Sequence, residues 1–90
     1  PAAKGAVYAA SKAAALAMMS ALADELKGTG IRVNSVLPSI IDTEANRKSM
    51  PQADFTKWPK PEEIAKVIVF LCGDDAKVIR GAEVPVYGNA

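Results

Sequence analysis

The fold is decided by the run Ile31-Arg-Val-Asn-Ser-Val-Leu37, which is rich in β-branched residues and stops at Pro38. A short apolar run that ends at a proline predicts a β-strand, and its apolar content predicts burial on both faces. Strands of this kind are typical of parallel sheets, whose two faces are covered by helices. The segments on either side of the run therefore determine the architecture.

Helices are predicted on both sides of this strand. Residues 7–27 consist mainly of strong helix formers, and Gly28 follows as a C-cap. A second helix is predicted from Pro61 to Gly73, and its apolar stripe consists of Ile64, Val67, Ile68 and Leu71. The polar connection between strand and second helix, residues 38–61, is predicted to contain a short helical turn at 44–48.

The last element is a predicted strand at Glu83–Tyr87, where Pro85 indicates an edge or an irregular ladder. The order helix, strand, loop, helix, strand predicts a right-handed crossover in a parallel sheet, and hence an α/β fold. Two strands leave one face and one edge of a sheet open. The pattern is therefore typical of the last third of a doubly wound fold.

Composition narrows the classes of partner. The chain has 90 residues, half of them hydrophobic, and a formal net charge of +1, so it offers no electrostatic footprint for nucleic acid or an anionic membrane. It has no histidine, the commonest metal ligand, and we expect no metal site. The single cysteine, Cys72, lies in an apolar run, which predicts a buried thiol in a reducing, cytoplasmic compartment. We see no secretory signal, and no apolar run that we judge long enough to span a membrane.

Tyr8 and Lys12 lie four residues apart in Ala6-Val-Tyr-Ala-Ala-Ser-Lys-Ala-Ala-Ala-Leu16, so a helix places both on one face. A neighbouring cation favours the phenolate form of a tyrosine, which makes such a pair suited to proton transfer. The same spacing also arises by chance, and the structural alternative is a half-buried tyrosine beside a solvated lysine.

The opposite face of the first helix is smooth, because it carries only small side chains: Ala10, Ala13, Ala14, Ala17 and Ala21. Such a face lets another helix approach closely, so we expect it to be covered by another subunit or by sequence outside these residues. This predicts a homo-oligomer formed through the Ala-rich face of helix 7–27. The alternative is that the alanines reflect helix propensity alone and lie exposed without cost.

Three segments together resemble the short-chain dehydrogenase/reductase family in order and spacing: Tyr8-Ala-Ala-Ser-Lys12-Ala-Ala, then Arg32-Val-Asn-Ser-Val-Leu-Pro38, then Ile41-Asp-Thr43. The closing stretch, residues 81–86, resembles the last strand of that family, so the resemblance covers nearly the whole chain. It implies the C-terminal portion of a Rossmann-like doubly wound parallel sheet, in an oxidoreductase that uses NAD or NADP.

The resemblance also implies roles for the helical pair. The tyrosine at the position of Tyr8 exchanges a proton with a substrate carbonyl or alcohol, while the nicotinamide exchanges hydride at the same carbon. Lys12 hydrogen-bonds the nicotinamide ribose and favours the phenolate of Tyr8. Both residues are therefore expected to be catalytic and to contact the cofactor.

Further cofactor contacts are implied for the segment that follows the first strand. Residues 38–43 are expected to lie along the nicotinamide, with Ile41 and Thr43 near its carboxamide. The family usually has glycine after the proline, whereas this chain has Ser39, which is less free to adopt positive φ. The structural alternatives are a strand terminator for Pro38 and a helix N-cap for Thr43.

Residues 42–58 are similar to the corresponding loop of dihydropteridine reductases, which reduce quinonoid dihydropterins. This likeness implies either a pterin substrate or only a shared loop fold. Met50, Phe55 and Trp58 are candidates to line a substrate pocket, although such residues in a loop also pin it to the core.

The family requires parts that these residues lack, including a Gly-rich turn for the cofactor pyrophosphate. We therefore expect residues 1–90 to be the C-terminal part of a single Rossmann-like oxidoreductase domain, without its N-terminal cofactor-binding part. By themselves they are expected neither to bind cofactor nor to turn over substrate. The alternative is a non-catalytic fragment that self-associates through its first helix. Substrate identity and the choice between NAD and NADP stay open.

Overall fold

The computed structural model of the chain describes the backbone of residues 2–90 and the side chains of residues 5–90. Three α-helices and two β-strands follow one another as α1 (Ala2–Glu25), β1 (Ser35–Leu37), α2 (Glu44–Ser49), α3 (Pro61–Cys72) and β2 (Glu83–Pro85). Two 3-10 turns, Phe55–Lys57 and Asp74–Ala76, complete the described elements. The predicted order helix, strand, loop, helix, strand is confirmed, and so is the short helix in the loop.

The two strands pair with each other. Ser35 N–H donates to Ala82 C=O at 2.8 Å, and Val86 N–H donates to Leu37 C=O at 3.0 Å. Both strands advance in the same direction along these bonds, so the pair is parallel, as the crossover predicted. Both regular strands are shorter than the predicted runs, Ile31–Leu37 and Glu83–Tyr87.

The prediction that the first strand is buried on both faces is wrong. Its three residues are only half-buried, and Ile31, at the start of the predicted run, is 56 % exposed. A parallel strand needs a covering layer on each face to be fully buried. Within residues 2–90 the sheet has only two strands, so such a strand stays partly open.

The chain divides into two compact units. The first runs to Ser35 and includes Ile79–Ala82, and the second comprises Val36–Val78 and Glu83–Ala90. The first unit contains α1, which ends before a turn in which Gly28 and Gly30 adopt φ values of 84° and 83°. Gly28 thus supplies the left-handed backbone expected just past a helix.

Helix α1 buries little of its surface. Ala23 is its one buried residue among positions 5–25, and the large apolar side chains that remain exposed on it are Val7, Tyr8, Met18, Met19 and Leu22. Leu16 is half-buried and, like Ala23, lies on the predicted Tyr8 face, whereas all five alanines of the opposite face are exposed. The Ala-rich face is therefore uncovered by the described residues.

The expectation that no segment is long enough to span a membrane is corrected by α1. Its part Gly5–Glu25, 21 residues, is long and apolar enough to cross a bilayer by length and composition alone. The alanines produce this result. Core helices of soluble proteins pass the same test, and Lys12 near the middle of the segment would cost about 2.5–3.5 kcal/mol at a bilayer centre.

Side chains of residues that follow α1 form hydrogen bonds that hold residues 79–82 in the first unit. The Asn34 side chain donates to Ile79 C=O at 3.2 Å and accepts from the Ala82 N–H at 2.9 Å. Arg32 Nη1 donates to the same Ile79 carbonyl at 3.1 Å. The Arg-Val-Asn part of the family-like segment thus has a structural role here.

The second unit is built around α3. Ile64 and Leu71 of its predicted stripe are buried, together with Trp58 before the helix and Ala76 after it. Lys60 N–H donates to the Glu63 carboxylate at 2.8 Å, which satisfies one of the free amides at the helix start. The helix ends at Gly73, as predicted.

The predicted burial of Cys72 is wrong, because the thiol is exposed. Cys72 directly follows the buried Leu71, so it lies about 100° around the helix from it. The apolar run 67–72 is therefore not uniformly buried: Val69 and Phe70 are also exposed, and so is Ile68, although it belongs to the predicted stripe.

Candidate active site

Tyr8 and Lys12 lie on the same face of α1, one helical turn apart. The Lys12 ammonium nitrogen is 5.5 Å from the centroid of the Tyr8 ring, a cation–π distance. The side chain of Tyr8 is 65 % exposed, so it is not the half-buried tyrosine of the structural alternative. Ser11 donates its hydroxyl to the Tyr8 carbonyl at 2.9 Å, a bond to the backbone that leaves the phenol untouched.

Proton transfer needs an arrangement of this kind. An exposed phenol hydroxyl reaches an incoming oxygen atom, and an ammonium group nearby stabilises negative charge that develops on the phenol. The ammonium carries three donors, which suit the hydroxyl groups of a sugar. The predicted juxtaposition of the two side chains is present, whereas their catalytic roles stay predictions.

Residues 38–43 lie in the second unit, just after β1. Pro38 and Ser39 are exposed, whereas Ile41 and Thr43 are half-buried. No residue other than glycine has positive φ in the described range 2–90, so Ser39 adopts a backbone conformation that is open to any residue. Pro38 directly follows β1, as the strand-terminator interpretation predicts.

Thr43 is the N-cap of α2. Its backbone is extended, with φ −125° and ψ 159°, and its hydroxyl oxygen accepts from the Asn46 N–H at 3.1 Å. The Asn46 side chain reaches back to the Ile41 carbonyl at 2.8 Å. The capping role of Thr43 is therefore confirmed, and its hydroxyl hydrogen can still be donated to another group.

Asp42, which lies between Ile41 and Thr43, forms hydrogen bonds through both its backbone and its side chain. Its N–H donates to the Pro59 carbonyl at 2.8 Å. Its carboxylate receives two bonds from Arg47, with Nε–Oδ1 at 2.6 Å and Nη2–Oδ2 at 2.9 Å. The hydrogen bond from Arg47 lowers the pKa of Asp42 below its ordinary value, and the same bond raises the pKa of Arg47.

The aromatic residues of the loop pack on one another. The Arg47 guanidinium carbon lies 4.6 Å from the centroid of the Phe55 ring, and the Phe55 and Trp58 rings are 4.9 Å apart. Trp58 is 7 % exposed and belongs to the core, so it pins the loop, as the structural alternative for such residues predicted.

Two cavities of the second unit adjoin these residues. One, of about 620 Å³, is lined by both Phe55 and Trp58 together with Asp42 and Arg47. The other, of about 530 Å³, lies between Trp58, α3 and residues 85–89. Met50 lines neither of them, and it is partly exposed. Phe55 and Trp58, two of the three candidate substrate residues, therefore share a cavity.

Sequence reasoning missed Asn46 and Arg47, which hold residues 41–43 in place. A signal was present, because an acidic residue followed by an N-cap and then by a basic residue in the next helix allows an ion pair across the first turn. The segment around this pattern is polar throughout, so the pattern did not stand out.

Comparisons with known proteins agree with this fold. The family model described as Enoyl-(Acyl carrier protein) reductase matches residues 2–88. The chain is 39 % identical to protein FixR of Bradyrhizobium diazoefficiens over 94 % of its own length and 32 % of that protein. It is 38 % identical to meso-2,3-butanediol dehydrogenase of Serratia marcescens, over 94 % of this chain and 37 % of the relative.

A solved structure of 4-hydroxyisoleucine dehydrogenase complexed with NADH superimposes with a TM-score of 0.74 at 35 % identity, covering 92 % of this chain and 37 % of that one. The chain thus spans about a third of the length of the proteins that it matches. Its elements are those of a partial Rossmann fold. Because the family match extends over almost all of the described residues, the chain belongs to the short-chain dehydrogenase/reductase family.

Proposed function

We propose that residues 1–90 form the C-terminal part of an NAD(P)-dependent oxidoreductase that interconverts a carbonyl and an alcohol. The observation that carries this proposal is the exposed Tyr8 phenol with the Lys12 ammonium 5.5 Å from its ring, in a chain of this family.

In this proposal the nicotinamide cofactor supplies or accepts the hydride. Tyr8 donates its phenolic proton to the substrate oxygen during reduction and takes it back during oxidation. Lys12 donates hydrogen bonds to the nicotinamide ribose and stabilises the phenolate. Its donors suit that sugar, so the residues present fit the group.

Residues 38–43 are proposed to bind the nicotinamide end of the cofactor. The Thr43 hydroxyl accepts from Asn46 and keeps its hydrogen available for an acceptor such as the carboxamide oxygen. Ile41 would contribute apolar contact, since its side chain is not fully used by the core. Pro38 and Ser39, both exposed, would border the same ligand.

The substrate is proposed to be a small carbonyl or alcohol compound. The similarity of residues 42–58 to dihydropteridine reductases makes a dihydropterin the second candidate. However, Arg47 and Phe55 contact each other, and Trp58 is buried in the core. These contacts favour a shared loop fold over direct recognition of a pterin ring.

A non-catalytic role is the alternative function. The uncovered Ala-rich face of α1 favours self-association through Ala10, Ala14 and their neighbours, and the same face is the proposed homo-oligomer contact of the enzyme. The net charge of +1 gives no reason to propose nucleic acid or membrane as partner, and we propose a cytoplasmic location.

The test is an assay of the full-length protein that contains these residues. Oxidation of NADH or NADPH would be followed with a panel of small ketones and with quinonoid dihydropterin. We expect turnover of at least one ketone with one of the two cofactors. We also expect no saturable cofactor binding by the ninety residues alone. Lack of turnover with every substrate, in a folded protein that binds neither cofactor, would contradict the proposal.

A further inference from the structure

Arg47 makes an unusual set of contacts for a residue on a short surface helix. Its guanidinium forms two parallel bonds to Asp42, and it also lies over the Phe55 ring at 4.6 Å. The Asp42 side chain is only 9 % exposed, although Arg47 itself is half exposed. One side chain therefore connects a nearly buried carboxylate to the aromatic part of the loop.

These contacts close the loop at two points. Asp42 at its start is bonded to the Pro59 carbonyl at its end, at 2.8 Å. Arg47, in α2, ties the same aspartate to Phe55, which packs on the buried Trp58. The backbone of residues 41–43 is thus fixed by groups that come from the far end of the loop.

Lysine could not replace this arginine. A bidentate pair needs the planar fork of a guanidinium, and stacking on a ring uses its flat face. The adjacent Lys48 shows the contrast. It pairs with Glu44 at 3.1 Å, one turn away, and both side chains are largely exposed. Such an exposed ion pair contributes little to the free energy of folding.

We propose that Arg47 is a positioning residue of the oxidoreductase, which sets cofactor affinity by holding residues 41–43 in place through Asp42 and Phe55. This inference rests on the proposed function, because it takes residues 41–43 to line the nicotinamide. In this inference Arg47 acts through its neighbours rather than by contact with the cofactor.

The test compares three variants of the full-length protein, Arg47→Ala, Arg47→Lys and the control Lys48→Ala. The first readout is amide hydrogen exchange at Asp42 and Trp58 in the cofactor-free protein, which does not depend on activity. The second is the dissociation constant of NADH or NADPH from fluorescence titration, measured alongside kcat at saturating cofactor.

We expect Arg47→Ala to raise both amide exchange rates by about tenfold and to raise the dissociation constant by about tenfold, which corresponds to about 1.4 kcal/mol of binding free energy. Its kcat should change less than about threefold, because Tyr8 and Lys12 are intact. Arg47→Lys should resemble Arg47→Ala. If the alanine variant does not fold, the lysine variant tests the inference by itself. Lys48→Ala should match the wild type in every measurement.

Wild-type exchange and wild-type cofactor affinity in both Arg47 variants would overturn the inference. Wild-type exchange rates and wild-type cofactor affinity in Arg47→Lys would also overturn the inference, even if Arg47→Ala is impaired, since a positive charge alone would then suffice. Failure of the proposed function looks different, because the wild type itself would then neither bind cofactor nor turn over substrate, while the exchange readout would still report on the loop.

Discussion

Gly88 offers the most quantitative prediction for the second unit. Its φ is 62°, in the left-handed region, and a Cβ built on it would lie 3.0 Å from the Lys57 oxygen and from the Pro59 Cδ. The next residue, Asn89, donates its N–H to the same Lys57 oxygen at 2.9 Å. Residues 88–89 therefore pack directly on the backbone beside Trp58, where a methyl group fits only if its backbone neighbours shift by a few tenths of an ångström.

The expected cost of Gly88→Ala has two parts. A left-handed backbone costs an alanine about 1–2 kcal/mol. Forcing a methyl group into a packed site costs about a further 1–3 kcal/mol. Gly28→Ala is the matched control, because its φ is 84° but no atom lies within 4 Å of its added Cβ. The Gly28→Ala control should therefore lose only the cost of the left-handed backbone.

The assay is chemical denaturation of both variants of the full-length protein. Their free energies of unfolding are compared with the same slope of free energy against denaturant concentration. We expect Gly88→Ala to lose about 1–3 kcal/mol more than Gly28→Ala. Equal losses would refute the close packing of residues 88–89 on the Trp58 turn. A loss confined to Gly28→Ala would refute the reasoning about both positions.

Three further predictions concern the candidate site. Thr43→Ala should lower the free energy of unfolding by about 1 kcal/mol because α2 loses its N-cap, whereas Thr43→Ser should keep most of it, as denaturation will show. The pKa of Asp42 is depressed in the folded state, so its contribution to stability is present above the ordinary carboxyl value of 3.8 and is lost as the pH falls through the lower folded pKa; the protection of the Asp42 amide, measured against its intrinsic exchange rate at each pH, should fall there, and unchanged protection would contradict the Arg47 pairing. Lys12→Ala should weaken NADH or NADPH binding in fluorescence titration, whereas Lys27→Ala, beyond the end of α1, should not.

The helices were predictable because their signals are local. The strong helix formers of α1 and the Pro61 to Gly73 boundaries of α3 act within a few residues, and the Thr43 cap precedes α2 directly. The parallel pairing followed from the order of the elements. The resemblance also led to the family, because its three segments keep their order along the chain.

Burial was predicted less well, because it depends on contacts distant in sequence. Cys72 and Ile31 lie in apolar runs, yet both are exposed. Trp58 looked like a candidate pocket residue, and it proves to be a core residue that also borders two cavities. The Arg47 contact with Phe55 depends on how residues 50–58 turn back, which no local pattern encodes.

The central claim is that Tyr8 transfers the proton, and replacing that one hydroxyl tests it most directly. The measurement is kcat of the full-length Tyr8→Phe variant at saturating cofactor and substrate, with Tyr87→Phe as the control that removes the same atom elsewhere. We predict that Tyr8→Phe lowers kcat by about 10²–10⁴, the usual contribution of general acid–base catalysis, with cofactor affinity nearly unchanged. The control should keep wild-type kcat. A Tyr8→Phe variant that turns over as fast as Tyr87→Phe would contradict the account.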